Sequence, residues 1–393
     1  MNLRLPSTAD DYRQRARRRL PRFLFDYLDG GAGNETTLAA NVAAFARVKL
    51  RQRVLVDVDH IDTATALAGE PCTMPVALAP VGLAGLMARR GEAQAARVAE
   101  AAGLPFTLST VGICSLEEVQ AARSAPFWFQ LYMLRDRGVV QSMLDRAWAA
   151  GCRTLVFTVD LPLPGLRHRD VRNGMEAAGL RAALLRASQV LARPGWVWNV
   201  AVRGKPLDFG SLAKQVPDAH DLNAFKRWVD AQFDASVTWR DIEWLRSRWQ
   251  GRLILKGILH AEDAQRACEV GAEGLVVSNH GGRQLDGVRA SIEALPSIAQ
   301  AVGSRCEVWM DGGIRSGTDV FRALALGARG VLIGRPWVWA LAGGGQAGLA
   351  AYLAGLQREL RLAMMLTGSP TLAAIGPDRL DRVFPLNHLD TQP

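Results

Sequence analysis

The stretch EVWMDGGIRSGTDVFRALALGARGVLIGR, residues 307–335, holds two short apolar runs, EVWMDGG and GVLIGR, on either side of a segment with helical periodicity. A short run of β-branched or aromatic residues followed by a helical pattern is the signature of a strand-then-helix unit. Working outward, six more runs precede these two: 75–80 (PVALAP), 105–110 (PFTLST), 127–132 (FWFQLY), 154–160 (TLVFTVD), 252–257 (RLILKG) and 274–280 (GLVVSNH). Helix-forming segments rich in Ala, Glu, Gln and Arg, such as 91–102 and 261–270, lie between them. Eight alternations of strand and helix predict an α/β fold, a parallel (β/α)8 TIM barrel.

The rhythm breaks once. Residues 161–251 separate the fourth run from the fifth, far more than a crossover needs, so they are expected to form an insertion or lid. Its first part carries Arg167, Arg169, Arg172, Arg181, Arg186, Arg193, Arg203 and Lys205 beside Trp196 and Trp198. That mixture suits the headgroup layer of an anionic bilayer, and a solvated active-site lid is the other reading. Residues 1–70 read as a helical lead-in and 75–380 as the barrel, so 1–393 is expected to be one domain.

Composition narrows the function classes. Of 393 residues, 49% are hydrophobic and 22% charged, which excludes a disordered chain. The five cysteines form no CxxC pair, so neither a disulfide scaffold nor a zinc site is expected, and no metal is assigned. The start of the chain has Pro6 and two acidic residues where a secretory signal needs an apolar core, so export is not expected. The uncharged stretches 71–88 and 336–357 are interrupted by Pro and Gly and are not expected to span a membrane. A net charge of +9 attracts anions, acidic lipid or nucleic acid, and a basic binding module without chemistry is one reading of it.

Barrel chemistry sits at the C-terminal strand ends. Those ends supply Ser109 and Thr110, Gln130 and Tyr132, Thr158 and Asp160, Lys256, Ser278 with Asn279 and His280, Asp311, then Gly334 and Arg335. Burying such groups without partners costs about 1–3 kcal/mol each, so a polar ligand is expected at that face. The segment Asp311-Gly312-Gly313-Ile314-Arg315 and the pair Gly334-Arg335 suit a phosphate, because glycine lets backbone amides approach and arginine adds charge. No GxGxxG follows an early strand, which leaves flavin mononucleotide, pyridoxal phosphate or a sugar phosphate. In Ser278-Asn279-His280-Gly281-Gly282-Arg283-Gln284-Leu285-Asp286, His280 is a candidate base and Arg283 a candidate carboxylate clamp. Asp160 is placed to orient the imidazole, and Lys256 to neutralise an electron-rich flavin edge.

With SNHGGRQLDG, the Tyr27-Leu28-Asp29-Gly30-Gly31-Ala32 motif and FTVDLPLPGLRHRD in hand, the sequence resembles the family of FMN-dependent L-2-hydroxy acid dehydrogenases and oxidases, in its bacterial respiratory lactate-oxidising branch. The resemblance implies that His280 is the base and Asp160 its partner. It implies that Arg283 and Arg167 clamp the substrate and that Tyr27 and Tyr132 bring hydroxyls over it. For FMN it implies Pro80, Val81 and Gly82 against the ring, with Ser109, Gln130, Thr158, Lys256 and Ser278. Asp311, Gly312, Gly313, Arg315, Gly334 and Arg335 then meet the ribityl and phosphate groups. L-lactate is the implied substrate and pyruvate the product, with electrons passing to a membrane quinone. A homotetramer attached peripherally to the cytoplasmic side of the inner membrane, without nucleic acid, completes the expectation. Rivals are an oxygen-using hydroxy acid oxidase and a mandelate enzyme. Gly82, where oxidases of the family tend to carry alanine, resembles the dehydrogenases. A haem-binding domain ahead of the barrel is not expected, and the match is loose over 182–226.

Overall fold

The computed structural model describes residues 5–177, 179–213, 228 and 231–382. Three helices lead in: α1 (Ala9–Arg19), α2 (Arg22–Asp29) and α3 (Thr36–Ala43). Helix α1 begins at a capping box formed by Thr8 and Asp11, with acidic residues in its first turn and Arg17, Arg18 and Arg19 in its last, which complements the helix dipole.

The barrel strands are β1 (Val76–Leu78), β2 (Thr107–Ser109), β3 (Trp128–Leu131), β4 (Thr154–Thr158), β5 (Arg252–Ile258), β6 (Gly274–Val277), β7 (Glu307–Met310) and β8 (Gly330–Ile333). They pair in parallel in the order β1-β8-β7-β6-β5-β4-β3-β2. A parallel bridge from Leu78 to Phe106 closes β1 on β2. Most strands are shorter than the apolar runs in the sequence, because the polar residues that end each run leave the ladder. Val76, Leu78, Leu108, Phe129, Leu155, Ile254, Val276 and Val331 are fully buried. Parallel strands covered on both faces read as continuous apolar runs, which is why the pattern was legible.

Around the strands lie α4 (Gly91–Ala101), α5 (Leu116–Ala122), α6 (Arg137–Ala149), then α7 (Leu180–Leu191) and α8 (Trp239–Arg248) from the insertion. They are followed by α9 (Ala261–Glu269), α10 (Ser291–Val302), α11 (Gly317–Ala325) and α12 (Arg335–Leu366). Helix α12 turns at Gly345, whose φ of 66° is left-handed. A Cβ at Gly343 would lie 2.9 Å from the Tyr12 carbonyl, so the glycine run lets α1 pack into the bend. No helix among the described residues is long and apolar enough to cross a membrane.

Several basic and indole side chains of the insertion find partners within the chain. Three of the side chains assigned to a bilayer are engaged within the chain: Arg186 donates to the carbonyls of Gly174 and Ala177, Arg193 to that of Leu20, and Trp196 Nε1 to that of Leu86. The outward side chains are mainly apolar instead. Leu180, Leu184 and Leu191 share one face of α7 and are 76%, 61% and 78% exposed, and Trp198 is 59% exposed. Part of the loosely matching region, 214–226, lies outside the described residues.

Candidate active site

One cavity of about 420 Å³ opens at the C-terminal ends of the strands. It gathers Tyr27, Pro80, Val81, Gly82, Tyr132, Thr158, Arg167, Lys256, His280, Arg283, Asp311, Gly312, Gly313, Arg315, Gly334 and Arg335. Asp160, Ser109, Gln130 and Ser278 stand directly behind this lining, bonded to it or to one another as described below.

His280 leaves β6 in a left-handed conformation, φ 57°, followed by Gly281 at 65° and Gly282 at 73°. This run of positive φ turns the chain sharply and brings the ring to Asp160, with Nδ1 2.8 Å from Oδ1. With the carboxylate accepting, Nδ1 carries the proton and Nε2 the lone pair. Burial pushes the imidazole below its usual value; Asp160 opposes this, while the Lys256 and Arg283 cations add to the lowering. Burial alone would raise the Asp160 carboxyl, but His280 and Lys256 outweigh it and hold it below the carboxylate range. The pair therefore rests as a carboxylate and a neutral imidazole, ready to accept a proton. Gln284 ties the two loops together: its Nε2 donates to the carbonyls of Asp160 and Leu163, and its Oε1 accepts from Gly165 N.

Two arginines lie over the same tyrosine. The guanidinium carbons of Arg283 and Arg167 are 4.9 and 5.7 Å from the Tyr27 ring centre. Arg283 spends Nη1 on the carbonyls of Tyr27 and Gly30, at 2.6 and 2.9 Å. Burial, followed by the like charge of Arg167, pushes Arg283 down to about 10. Arg167 has a buried Nε without a partner among the described residues, and its Nη1 is 3.7 Å from Asp170. Two cations crowded in this way favour an anion between them. Tyr132 is buried, packs edge-on against Phe233 at 5.4 Å, and has its phenol raised by that burial. At Gly82 an added Cβ would come within 2.7 Å of Val111 Cγ2 and 3.3 Å of the Tyr27 hydroxyl.

The remaining residues fit a flavin nucleotide. Gln130 is fully buried; its Oε1 accepts from Ser109 Oγ and Thr110 N, while its Nε2 has no partner among the described residues and calls for an acceptor such as a ring carbonyl. Lys256 lies 3.0 Å from Ser278 Oγ and 3.0 Å from Asp311 Oδ2. Burial would lower the amine, but Asp311 and Asp160 outweigh it and keep it charged. Asp311 Oδ1 is another buried atom without a partner among the described residues, placed to accept from a hydroxyl. Gly312 and Gly313 follow with φ of 91° and 86°, and a Cβ at Gly313 would lie 1.9 Å from the Asn41 carbonyl. Helix α12 starts after Gly334 with no side-chain cap, which leaves its first amides for a phosphate.

Arg315 lies 5.0 Å above Trp339. The Arg335 guanidinium is largely engaged by the carbonyls of Leu28, Gly281 and Gly30, at 3.1, 2.9 and 2.7 Å. It therefore straps α2 and the His280 loop to the phosphate loop as well as lining the cavity. Sequence reasoning counted Asn279 only among the polar strand-end groups awaiting a ligand, whereas it bonds to Asn41 and the Arg289 carbonyl, and it gave no role to Asn41, Gln284 or Asp286. The last of these caps α3 by accepting from Thr37 N at 2.7 Å and Thr36 Oγ1 at 2.8 Å.

The sequence profile of the FMN-dependent dehydrogenases matches residues 16–382. An L-lactate dehydrogenase of Caulobacter sp. (strain K31) is 55% identical over 376 residues, covering 96% of this chain and 97% of that protein. Another, from Xanthomonas campestris pv. campestris (strain B100), is 53% identical over 377 residues and covers 96% and 97%. Among solved structures, the monotopic membrane protein (S)-mandelate dehydrogenase superposes with a TM-score of 0.89 at 33% identity, covering 97% of this chain and all of that one. A mandelate oxidase gives 0.81 at 40% identity, covering 96% and 98%. A buried amide awaiting an acceptor, an open helix start for a phosphate and a base beside two arginines agree with that company, and the chain belongs to the FMN-dependent dehydrogenase family, with FMN as its cofactor.

Proposed function

We propose that this chain oxidises L-lactate to pyruvate and delivers the electrons to a membrane quinone, working as a homotetramer at the cytoplasmic face of the inner membrane. The observation that carries the chemistry is the His280–Asp160 pair at 2.8 Å beside the Arg283 and Arg167 cations in one cavity. Bound FMN supplies the two-electron acceptor. Arg283 and Arg167 take the substrate carboxylate through the donors they do not spend on the protein. Tyr27 and Tyr132 orient the substrate hydroxyl. His280 Nε2 receives a proton from the substrate, and Asp160 stabilises the imidazolium that results. Lys256 keeps a positive charge where negative charge develops during the reaction. Gln130, Asp311, the two glycines at 312 and 313, and the start of α12 hold the nucleotide.

Quinone as acceptor draws support from Gly82 and from the leucine face of α7. Leu180, Leu184 and Leu191 on one face of α7, and the exposed Trp198 with Arg203 5.9 Å from its ring centre, offer apolar surface beside basic charge, the pattern of a chain lying on a bilayer. The (S)-mandelate dehydrogenase with a similar fold is described as monotopic. Steady-state assays with L-lactate, L-mandelate and glycolate, each with oxygen or a soluble quinone as acceptor, test the assignment. Highest kcat/KM with L-lactate and quinone is expected. Preference for mandelate would reassign the substrate, and turnover with oxygen alone would make the chain an oxidase.

A further inference from the structure

Helix α3 is held to the His280 loop by Asp286 and Gly287 at its first turn and, further along, by a buried pair of residues 238 positions apart, Asn41 and Asn279. Asn41 and Asn279 are 2% and 4% exposed. Asn41 Nδ2 donates to Asn279 Oδ1 at 2.8 Å, and Asn279 Nδ2 donates back to Asn41 Oδ1 at 2.8 Å. The orientation of both amides is set by the backbone. Gly282 N donates to Asn279 Oδ1 at 3.1 Å and Ser291 N to Asn41 Oδ1 at 3.2 Å, so each of those atoms must be an oxygen. Asn279 Nδ2 also reaches the Arg289 carbonyl at 3.0 Å. On its other side, the Asn41 carbonyl occupies the space a Cβ of Gly313 would need, so the same residue abuts the phosphate loop.

We propose that Asn41 and Asn279 are positioning residues for His280, holding the base-bearing loop in register with the nucleotide loop. Residue 280 is a non-glycine residue held at φ 57°. Single left-handed residues of this kind are strained and persist where their surroundings over-determine them. The residue before it is held by the amide pair, and two residues after it Gly282 N is held by Asn279 Oδ1. Loss of the pair frees the loop to relax, and the imidazole then moves relative to Asp160 from the β4 loop, Lys256 from β5 and Arg283 from its own loop, the charged groups that bear on it. Arg335, bonded to the Gly281 carbonyl, continues to tether the loop, so displacement rather than unfolding is expected.

The proposal rests on His280 as the base, and the test separates the two. Asn41→Ser, Asn279→Ser and the double variant are compared with the parent holoenzyme for flavin content, thermal midpoint and the rate of anaerobic flavin reduction by L-lactate per bound flavin across pH. Each single variant is expected to slow reduction roughly 10- to 100-fold, since misplacement by about 1 Å costs that much, and to shift the acidic limb of the pH profile. The double variant is expected to resemble the singles, because either change removes the same pair. If a serine variant fails to fold, Asn41→Thr, which removes the amide donor without adding charge, carries the same pH test. A lowered thermal midpoint with unchanged rate per flavin and unchanged pH limb would make the pair merely structural and overturn the proposal, as would additive single effects. If His280→Gln also reduced at the parent rate, the base assignment itself would fall. A slow His280→Gln beside fast asparagine variants would remove only the positioning role.

Discussion

Replacing Asp160 by asparagine isolates what the carboxylate does for His280. The two side chains meet at 2.8 Å and are only 14% and 17% exposed, so solvent screens the interaction little. Asparagine preserves size and presents its Oδ1 to the Nδ1 proton, which keeps the ring orientation. What disappears is the negative charge opposite the imidazolium. A hydrogen bond to a charged group contributes about 1.5–3 kcal/mol, and 1.36 kcal/mol is tenfold in rate, so flavin reduction by L-lactate should slow roughly 10- to 150-fold. The sign of the pH effect follows from the neighbours. His280 already lies below its usual value, and with Asp160 gone burial, Lys256 and Arg283 act unopposed and lower it further. The base must be neutral, so the rate falls as pH drops through its pKa. In the variant that acidic limb moves to lower pH while the plateau drops. The assay is anaerobic stopped-flow reduction at saturating L-lactate over a pH series. A plateau within threefold of the parent, or a limb displaced to higher pH, would refute the electrostatic role of Asp160.

Two further outcomes follow from packing and from the surface. Gly313→Ala places a Cβ 1.9 Å from the Asn41 carbonyl at a backbone φ of 86°, so the variant should lose about 2 kcal/mol or more of stability and most of its flavin; full flavin content with an unchanged thermal midpoint would contradict this. Changing Leu180, Leu184, Leu191 and Trp198 to Ser should weaken binding to anionic vesicles roughly 100-fold or more, at about 1 kcal/mol per side chain, whereas Arg193→Ser should leave vesicle binding unchanged; equal sedimentation of parent and quadruple variant would return the insertion to a solvated lid.

The barrel was legible because parallel strands buried on both faces leave unbroken apolar runs such as TLVFTVD, and because the polar residues ending them had no reason to lie in a core. His280, Asp160, Lys256 and Arg283 stood out in the same way, as polar residues within or after the barrel strands. Asn41 did not. Its meaning depends on a partner 238 positions away, and a single asparagine in a helix carries no periodic signal. Asp286 and Gln284 lay inside a quoted motif, but their partners, the start of α3 and the Asp160 loop, are distant in sequence. Composition is equally silent on which side chains of the insertion face outward. Arginine and tryptophan are amphipathic, so composition cannot separate Arg193, which bonds to the Leu20 carbonyl, from a side chain facing lipid. The exposed leucines of α7 follow helical spacing, yet such a stripe ordinarily marks the face that packs inward.

The chemistry is tested most directly by mixing the purified yellow holoenzyme with L-lactate under anaerobic conditions, beside its His280→Gln variant, and following the flavin absorbance. The parent is expected to bleach fully, and the variant to retain its flavin and bleach roughly 10²- to 10⁴-fold more slowly, the contribution of a positioned base. Absence of bleaching with L-lactate and every other L-2-hydroxy acid tried, or a variant as fast as the parent, would contradict the account.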